Sequence, residues 1–125
     1  MLEKLAQEWT GGANRFARPG ECYLGLFHAG QLCAVGGLNR DPYPGGEGLG
    51  RIRHLYVPPH LRRRGHGAML LTHLLAAARP AFPALRLRTA NPAAARLYEA
   101  HGFERVEQPF ASHMRLSDED SAQIG

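Results

Sequence analysis

Between Leu55 and Leu71 the chain reads LYVPPHLRRRGHGAMLL, an apolar strand that passes through a basic, glycine-punctuated turn into an apolar helix. Gly65 and Gly67 carry no Cβ, so the backbone there can come close to a ligand, and the first turn of the following helix leaves its N–H groups unpaired. Arg62, Arg63 and Arg64 add positive charge, in planar forks that suit phosphate oxygens. The same arginines also read as a solvated face, and a lone G-x-G after a strand has little specificity. The residues by themselves therefore leave both readings open. Two nucleotide signatures are excluded: no G-x-G-x-x-G opens the helix, and no lysine-serine or lysine-threonine pair follows.

Acid–base chemistry has fewer candidates. His54, on the strand before the turn, carries an imidazole, a side chain suited to general-base work, although Ile52 and Tyr56 beside it also allow a packed polar residue. Glu47, in the preceding loop NRDPYPGGEGLG, is its rival and could instead bind a cationic substrate. His60 and His66 flank the basic turn and suit contact with a ligand or with solvent. Cys22 and Cys33 are too few and too far apart for a metal knuckle or a redox pair, so free thiols are the expectation, with a disulfide between them left open.

These residues need elements to position them. Leu2, Leu5, Ala6 and Trp9 have helical spacing, so Met1 to Trp9 reads as a short helix stopped by Gly11 and Gly12. Glu21 to His28 and Gln31 to Leu38 read as a hairpin turned at Ala29-Gly30. Asn39 to Gly50 is a loop, and Arg51 to Val57 a strand with Ile52, His54 and Tyr56 on one face, stopped by Pro58 and Pro59. The helix from Gly67 to Arg79 places Leu70, Leu71, Leu74, Leu75 and Ala78 on one apolar face. Leu85 to Thr89 follows as a strand, a crossover that sets it parallel to the strand ending at Val57. Asn91 reads as the N-cap, Pro92 as the first residue and Gly102 as the stop of a second helix. Phe103 to Glu107 and His113 to Leu116 close the sheet, ahead of an acidic tail over residues 117–125.

The whole fits a single α/β domain of 125 residues. Fifteen lysines and arginines against eleven acidic residues give a net charge of +4, which favours anionic partners. That charge is gathered in one turn instead of a broad stripe, which suits a phosphorylated cofactor better than nucleic acid. The longest apolar helical stretch, Ala68 to Ala78, is too short to cross a bilayer, and no apolar leader is visible, so a cytoplasmic protein without membrane contact is expected.

With both segments in view, the chain resembles the GNAT superfamily of acyl-coenzyme A dependent N-acyltransferases. Val57, Pro59, Arg62, Gly65 and Gly67 match that family's cofactor segment. NPAAARLYEAHGF, from Asn91 to Phe103, matches its asparagine, helix tyrosine and Gly-Phe segment. The resemblance covers about Arg51 to Leu116 and implies a mixed, mostly antiparallel sheet with two splayed parallel strands flanked by helices. It implies acetyl-CoA as cofactor, with no metal. The amides from Arg63 through Ala68, with Gly65, His66 and Gly67 between them, would cradle the pyrophosphate, and Arg62 and Arg64 would supply charge. The backbone of Leu55, Tyr56 and Val57 would pair with the pantetheine arm beside Asn91, and Tyr98 would protonate the leaving thiolate.

The implied reaction is direct acetyl transfer to a primary amine, on a small molecule or a protein, with His54 or Glu47 as the base. A non-catalytic CoA-binding or regulatory module is the alternative, and a nucleic-acid patch built on the three arginines a third reading. The family's first strand is missing from this reading of the chain, which makes it N-terminally shortened. The sheet edge so exposed suggests a homodimer. The acceptor, the length of the acyl group and the identity of the base stay open.

Overall fold

The structure, a computed structural model, describes residues 4–6 and 20–117. Seven strands form one sheet: β1 (Lys4–Ala6), β2 (Cys22–His28), β3 (Gln31–Arg40), β4 (Gly50–Tyr56), β5 (Ala84–Leu87), β6 (Glu104–Gln108) and β7 (Ala111–Leu116). Their spatial order is β1-β2-β3-β4-β5-β7-β6, and every neighbouring pair is antiparallel except β4 with β5. Helix α1 (His66–Ala78) makes the crossover between that parallel pair, and α2 (Pro92–Ala100) follows β5. This is the expected mixed α/β architecture.

One expectation fails at the start of the chain. Residues 4–6 form a strand, pairing Lys4 with Phe27, Leu5 with Leu26 and Ala6 with Gly25, where helical spacing predicts a helix from Met1 to Trp9. The rest of that predicted helix lies outside the described residues. Nine residues give little helix stability on their own, whereas β2 offers an edge of main-chain donors and acceptors that a strand satisfies. A first strand is therefore present, and it pairs with Gly25 to Phe27 of β2, on the edge from which a homodimer was expected. The acidic tail beyond residue 117 is also outside the described residues.

Residues opposite one another in the ladder share a face, so Leu24 and Leu26 of β2 lie with Gly36 and Ala34 of β3, and Leu38 lies with Ile52 of β4. Helix α1 covers this face: Leu70, Leu71 and Leu74 are fully buried in one cluster with Leu26, Leu38, Ile52, Leu85, Leu87, Tyr98 and Phe103. A Cβ on Gly36 would stand only 3.1 Å from Leu74 and 3.2 Å from Leu70, which shows how closely the helix approaches β3. The opposite face carries polar packing. There Asp41, Arg51 and Arg86 are buried together.

A bulge in β4 breaks the expected alternation. Gly37 pairs with Arg53 but Val35 with Tyr56, so β4 spends one extra residue over that interval, and His54 takes a left-handed backbone with φ of 58°. Beyond the bulge the faces exchange. Leu55 packs against the α1 cluster in the place that strict alternation gives to Tyr56, and Tyr56 is half exposed. Ile52, His54 and Tyr56 thus do not share a face.

Candidate active site

The parallel pairing of β4 and β5 is short: only Gly50 with Leu85 and Arg51 with Arg86 face each other in register. Beyond Arg51 the strands part, and a cleft of about 870 Å³ opens between them. The bulge at His54 increases the local twist and turns β4 away from β5, as bulges do. Pro58 and Pro59 then send the chain through a single 3₁₀ turn, Pro59–Leu61, into the basic loop.

Each wall of the cleft has a local cause. Arg62 bends back so that its Nε donates to the carbonyl of Val57 at 2.7 Å, and its guanidinium lies over the Tyr56 ring at 5.6 Å. It therefore ties the loop to the end of β4. Arg63 has a φ of 66°, a left-handed conformation unfavourable for a residue with a Cβ. Gly65, at φ 84°, is the N-cap of α1, with no side chain capping the helix and no acidic residue in the first turn. The first main-chain bond here runs from the Met69 amide to the Gly65 carbonyl, so the amides of His66, Gly67 and Ala68 precede the ladder and point out of the helix end. His66 adds a buried Nδ1 without a hydrogen-bond partner. Burial, aided by the charge of Arg64, pulls its pKa below the ordinary histidine value. An uncapped helix end with a neutral imidazole and two arginines beside it fits a phosphate group.

Tyr98 closes the other wall. It is 6% exposed, packs edge-on against Phe103 with ring centroids 5.5 Å apart, and lines the cleft. Among the described residues nothing hydrogen-bonds its hydroxyl. Burial raises its pKa to about 12, so the phenol keeps its proton over the whole physiological range. Asn91 caps α2, its Oδ1 accepting from the amides of Ala93 at 2.8 Å and Ala94 at 3.2 Å. Its side-chain oxygen is thus committed, and its NH₂ group is what the cleft can use.

Of the residues singled out in the sequence, His54, Leu55, Tyr56, Val57, Arg62, Arg63, Gly65, His66, Gly67, Ala68, Asn91 and Tyr98 all line this one cleft. Arg64 and Glu47 do not. Arg64 is exposed, and the Glu47 carboxylate accepts from the Gly45 amide at 3.1 Å within its own loop. Cys22 and Cys33 are free thiols, and Cys33 Sγ donates to the Gln31 carbonyl. Among the described residues no group of three or more histidine, cysteine or acidic side chains could hold a metal ion, and no helix is long and apolar enough to cross a membrane.

Sequence reasoning missed the cleft's other end. Arg53 and Arg88 line it, and behind them Asp41 joins Arg51 and Arg86. Asp41 Oδ2 accepts from Arg86 Nε at 2.7 Å and from Arg51 Nη1 at 3.2 Å. Arg51 Nη2 also donates to the Phe110 carbonyl at 2.7 Å, and its guanidinium covers the Tyr43 ring at 4.6 Å. Burial pushes the Asp41 carboxyl up, but the Arg86 bond, the Tyr43 amide and the two guanidinium charges outweigh it and hold its pKa below the ordinary value. The available signal was the period-two repeat Arg51-Ile52-Arg53 and Arg86-Leu87-Arg88 on two strands.

A split parallel pair beside an uncapped helix end defines the class. The chain belongs to the acetyltransferase (GNAT) family, whose model matches residues 2–103. It is 35% identical over 97 residues to the N-alpha-acetyltransferase RimI of Mycobacterium tuberculosis, a match covering 72% of this chain and 56% of that protein. The chain thus spans little more than half the length of this curated relative. Among solved structures, an Exiguobacterium sp. 255-15 protein provisionally assigned as an acetyltransferase superposes with a TM-score of 0.76 at 28% identity, over 88% of this chain and 71% of that one. The provisionally assigned acetyltransferase yncA of Salmonella typhimurium, solved with its cofactor acetyl-CoA, superposes with a TM-score of 0.67 at 20% identity, over 80% and 66%. At that identity the likeness speaks for the fold alone.

Proposed function

We infer that this protein transfers an acetyl group from acetyl-CoA to a primary amine. One observation carries the reading: the gap between β4 and β5 holds, in a single cleft, an uncapped helix end at one wall and, at the other, a buried phenol with no hydrogen-bond partner among the described residues. Family membership and a solved relative that contains acetyl-CoA support it.

Acetyl-CoA, when bound, supplies a thioester that an amine can attack at its acyl carbon. The protein's part is to hold, to orient and to move protons. The amides of His66, Gly67 and Ala68 and the charge of Arg63 suit the pyrophosphate. The main chain of Leu55, Tyr56 and Val57 is free of a β5 partner, so those of its donors and acceptors that are not used by β3 or by the Arg62 bond to the Val57 carbonyl are open to an amide-bearing arm, and an amide near Val57 can meet negative charge growing on the acyl oxygen. Tyr98 holds a proton that a departing thiolate can take. His54 lines the cleft and is exposed, which lets it, directly or through water, accept the proton lost by the amine. Glu47 lies outside the lining and is not given that role.

Calorimetric titration with acetyl-CoA, together with thiol release in the presence of a panel of amines, tests the reading. Micromolar binding and amine-dependent thiol release are the expected results. Failure to bind acetyl-CoA overturns it.

A further inference from the structure

Arg53 and Arg88 line the cleft next to the β4–β5 pairing, Arg53 two residues past Arg51 and Arg88 two past Arg86, away from the glycine turn proposed for the pyrophosphate. Arg53 precedes Val57 by four residues, roughly 13 Å of extended chain away from the start of the phosphate turn. Across β3 it faces Gly37, which has no side chain to cover it. By strand alternation it lies on the face of Arg51, and Arg88 is the first residue past the end of β5, two after Arg86. The inner pair, Arg51 and Arg86, shares Asp41. The outer pair shares nothing: among the described residues neither Arg53 nor Arg88 has a carboxylate partner. Arg88 is instead steadied at the cleft wall by donating from Nη1 to the Pro109 carbonyl at 2.7 Å. Among the described residues the lining of the whole cleft includes no aspartate or glutamate.

Resting on the acetyltransferase reading above, we propose that the acceptor is an amine carrying an anionic oxygen group close by, a carboxylate or phosphate, and that Arg53 and Arg88 are the residues that bind it. Guanidinium forks match such oxygens in pairs. A polycationic acceptor would bring a second positive charge against two uncompensated arginines, a repulsion on the order of several times thermal energy at contact distance near a protein surface. The same field helps chemistry, because positive surroundings favour the neutral, attacking form of the amine. The anion can come from a free amino acid or aminoalkyl phosphate, or from an acidic side chain next to the N-terminus of a peptide.

The test compares matched acceptors by kcat/KM: β-alanine and aminoethyl phosphate each against ethylamine, lysine against 1,5-diaminopentane, and a peptide with glutamate at its second position against the same peptide with lysine there. The anionic member of each matched pair should win by at least thirtyfold. Arg53→Gln and Arg88→Gln should each erase most of that preference while leaving acetyl-CoA affinity unchanged, and Arg53→Lys should restore part of it. The best anionic substrate identifies the source as amino acid, phosphate or peptide. A direct readout runs beside it: in titrations monitored by NMR, N-acetyl-β-alanine should bind at least tenfold more tightly than N-ethylacetamide, with the difference lost in Arg53→Gln. Equal binding of that pair, or preference for the diamine, overturns this assignment even where acetyl-CoA binds and is turned over. Absence of acetyl-CoA binding instead overturns the acetyltransferase reading.

Discussion

Tyr98 combines burial with a hydroxyl that has no described protein partner, and both properties follow from its place on α2 against Phe103. If it donates the proton, Tyr98→Phe lowers kcat by about 10²-fold and leaves acetyl-CoA affinity within about twofold, measured by steady-state kinetics and calorimetry. Its raised pKa also has a sign for stability. The unfolded phenol ionises near 10 and the folded one near 12, so the contribution is full below pH 10 and is lost as pH rises towards about 12. Alkaline denaturation of Tyr98→Phe should therefore begin at higher pH than that of the wild type. Arg63 makes the converse case, since its backbone is left-handed and it lines the cleft beside the open end of α1. Arg63→Gly is expected to leave thermal stability unchanged or raise it by about 0.5 kcal/mol, because the relief of strain slightly exceeds glycine's entropic cost. The same change should weaken acetyl-CoA binding severalfold, which separates backbone from charge.

At the scale of elements, Asp41 fastens the β3–β4 loop to two neighbouring strands. Its side chain is fully buried, and it holds the two guanidinium groups at 2.7 and 3.2 Å. Asp41→Asn leaves them uncompensated and should cost about 3–5 kcal/mol in denaturant unfolding. Because the Asp41 pKa is depressed on folding, this stabilisation is complete above about pH 4 and is lost as pH falls through the folded value, so acid unfolding should report it. Gly46 belongs to the same device: a Cβ there would stand 2.4 Å from the Asp41 carboxyl carbon, so the loop closes over Asp41 only with glycine at that position. The strands from β2 onward, both helices and the basic glycine turn were legible in the sequence, because periodicity and Gly/Pro punctuation are local signals. The bulge at His54, the strand at Lys4–Ala6 and the Asp41 network were not. Each depends on a partner distant in sequence, from 10 residues for Asp41 with Arg51 to 45 for Asp41 with Arg86, or on an edge that exists only after the sheet has formed. The glycine-turn end of the cleft was visible as a motif; Arg53 and Arg88 were hidden inside ordinary strand alternation.

At the scale of the molecule, one apolar layer between α1 and the sheet carries the stability. Leu74 is fully buried at its centre, and Leu74→Ala should cost about 3 kcal/mol, read as a lowered denaturation midpoint with an unchanged slope. Acetyl-CoA should act in the opposite direction by mass action, adding about 2.7 kcal/mol at a hundredfold excess over its dissociation constant, measured as a rise in Tm. The main-chain register that joins β4 to β5 is only two residue pairs long, and it divides the sheet into two contiguous runs of chain, β1 to β4 and β5 to β7. Each run is antiparallel and pairs within itself. The protein is therefore built as two ribbons laid edge to edge, joined among the described residues by the α1 connection, by the carboxylate of Asp41 shared between Arg51 and Arg86, and by bonds such as that from Arg51 to the Phe110 carbonyl. A chain cut between Ala78 and Ala84 would leave two self-paired halves whose reassociation is expected to depend on the α1 core, on Asp41, and on whatever molecule fills the seam between them.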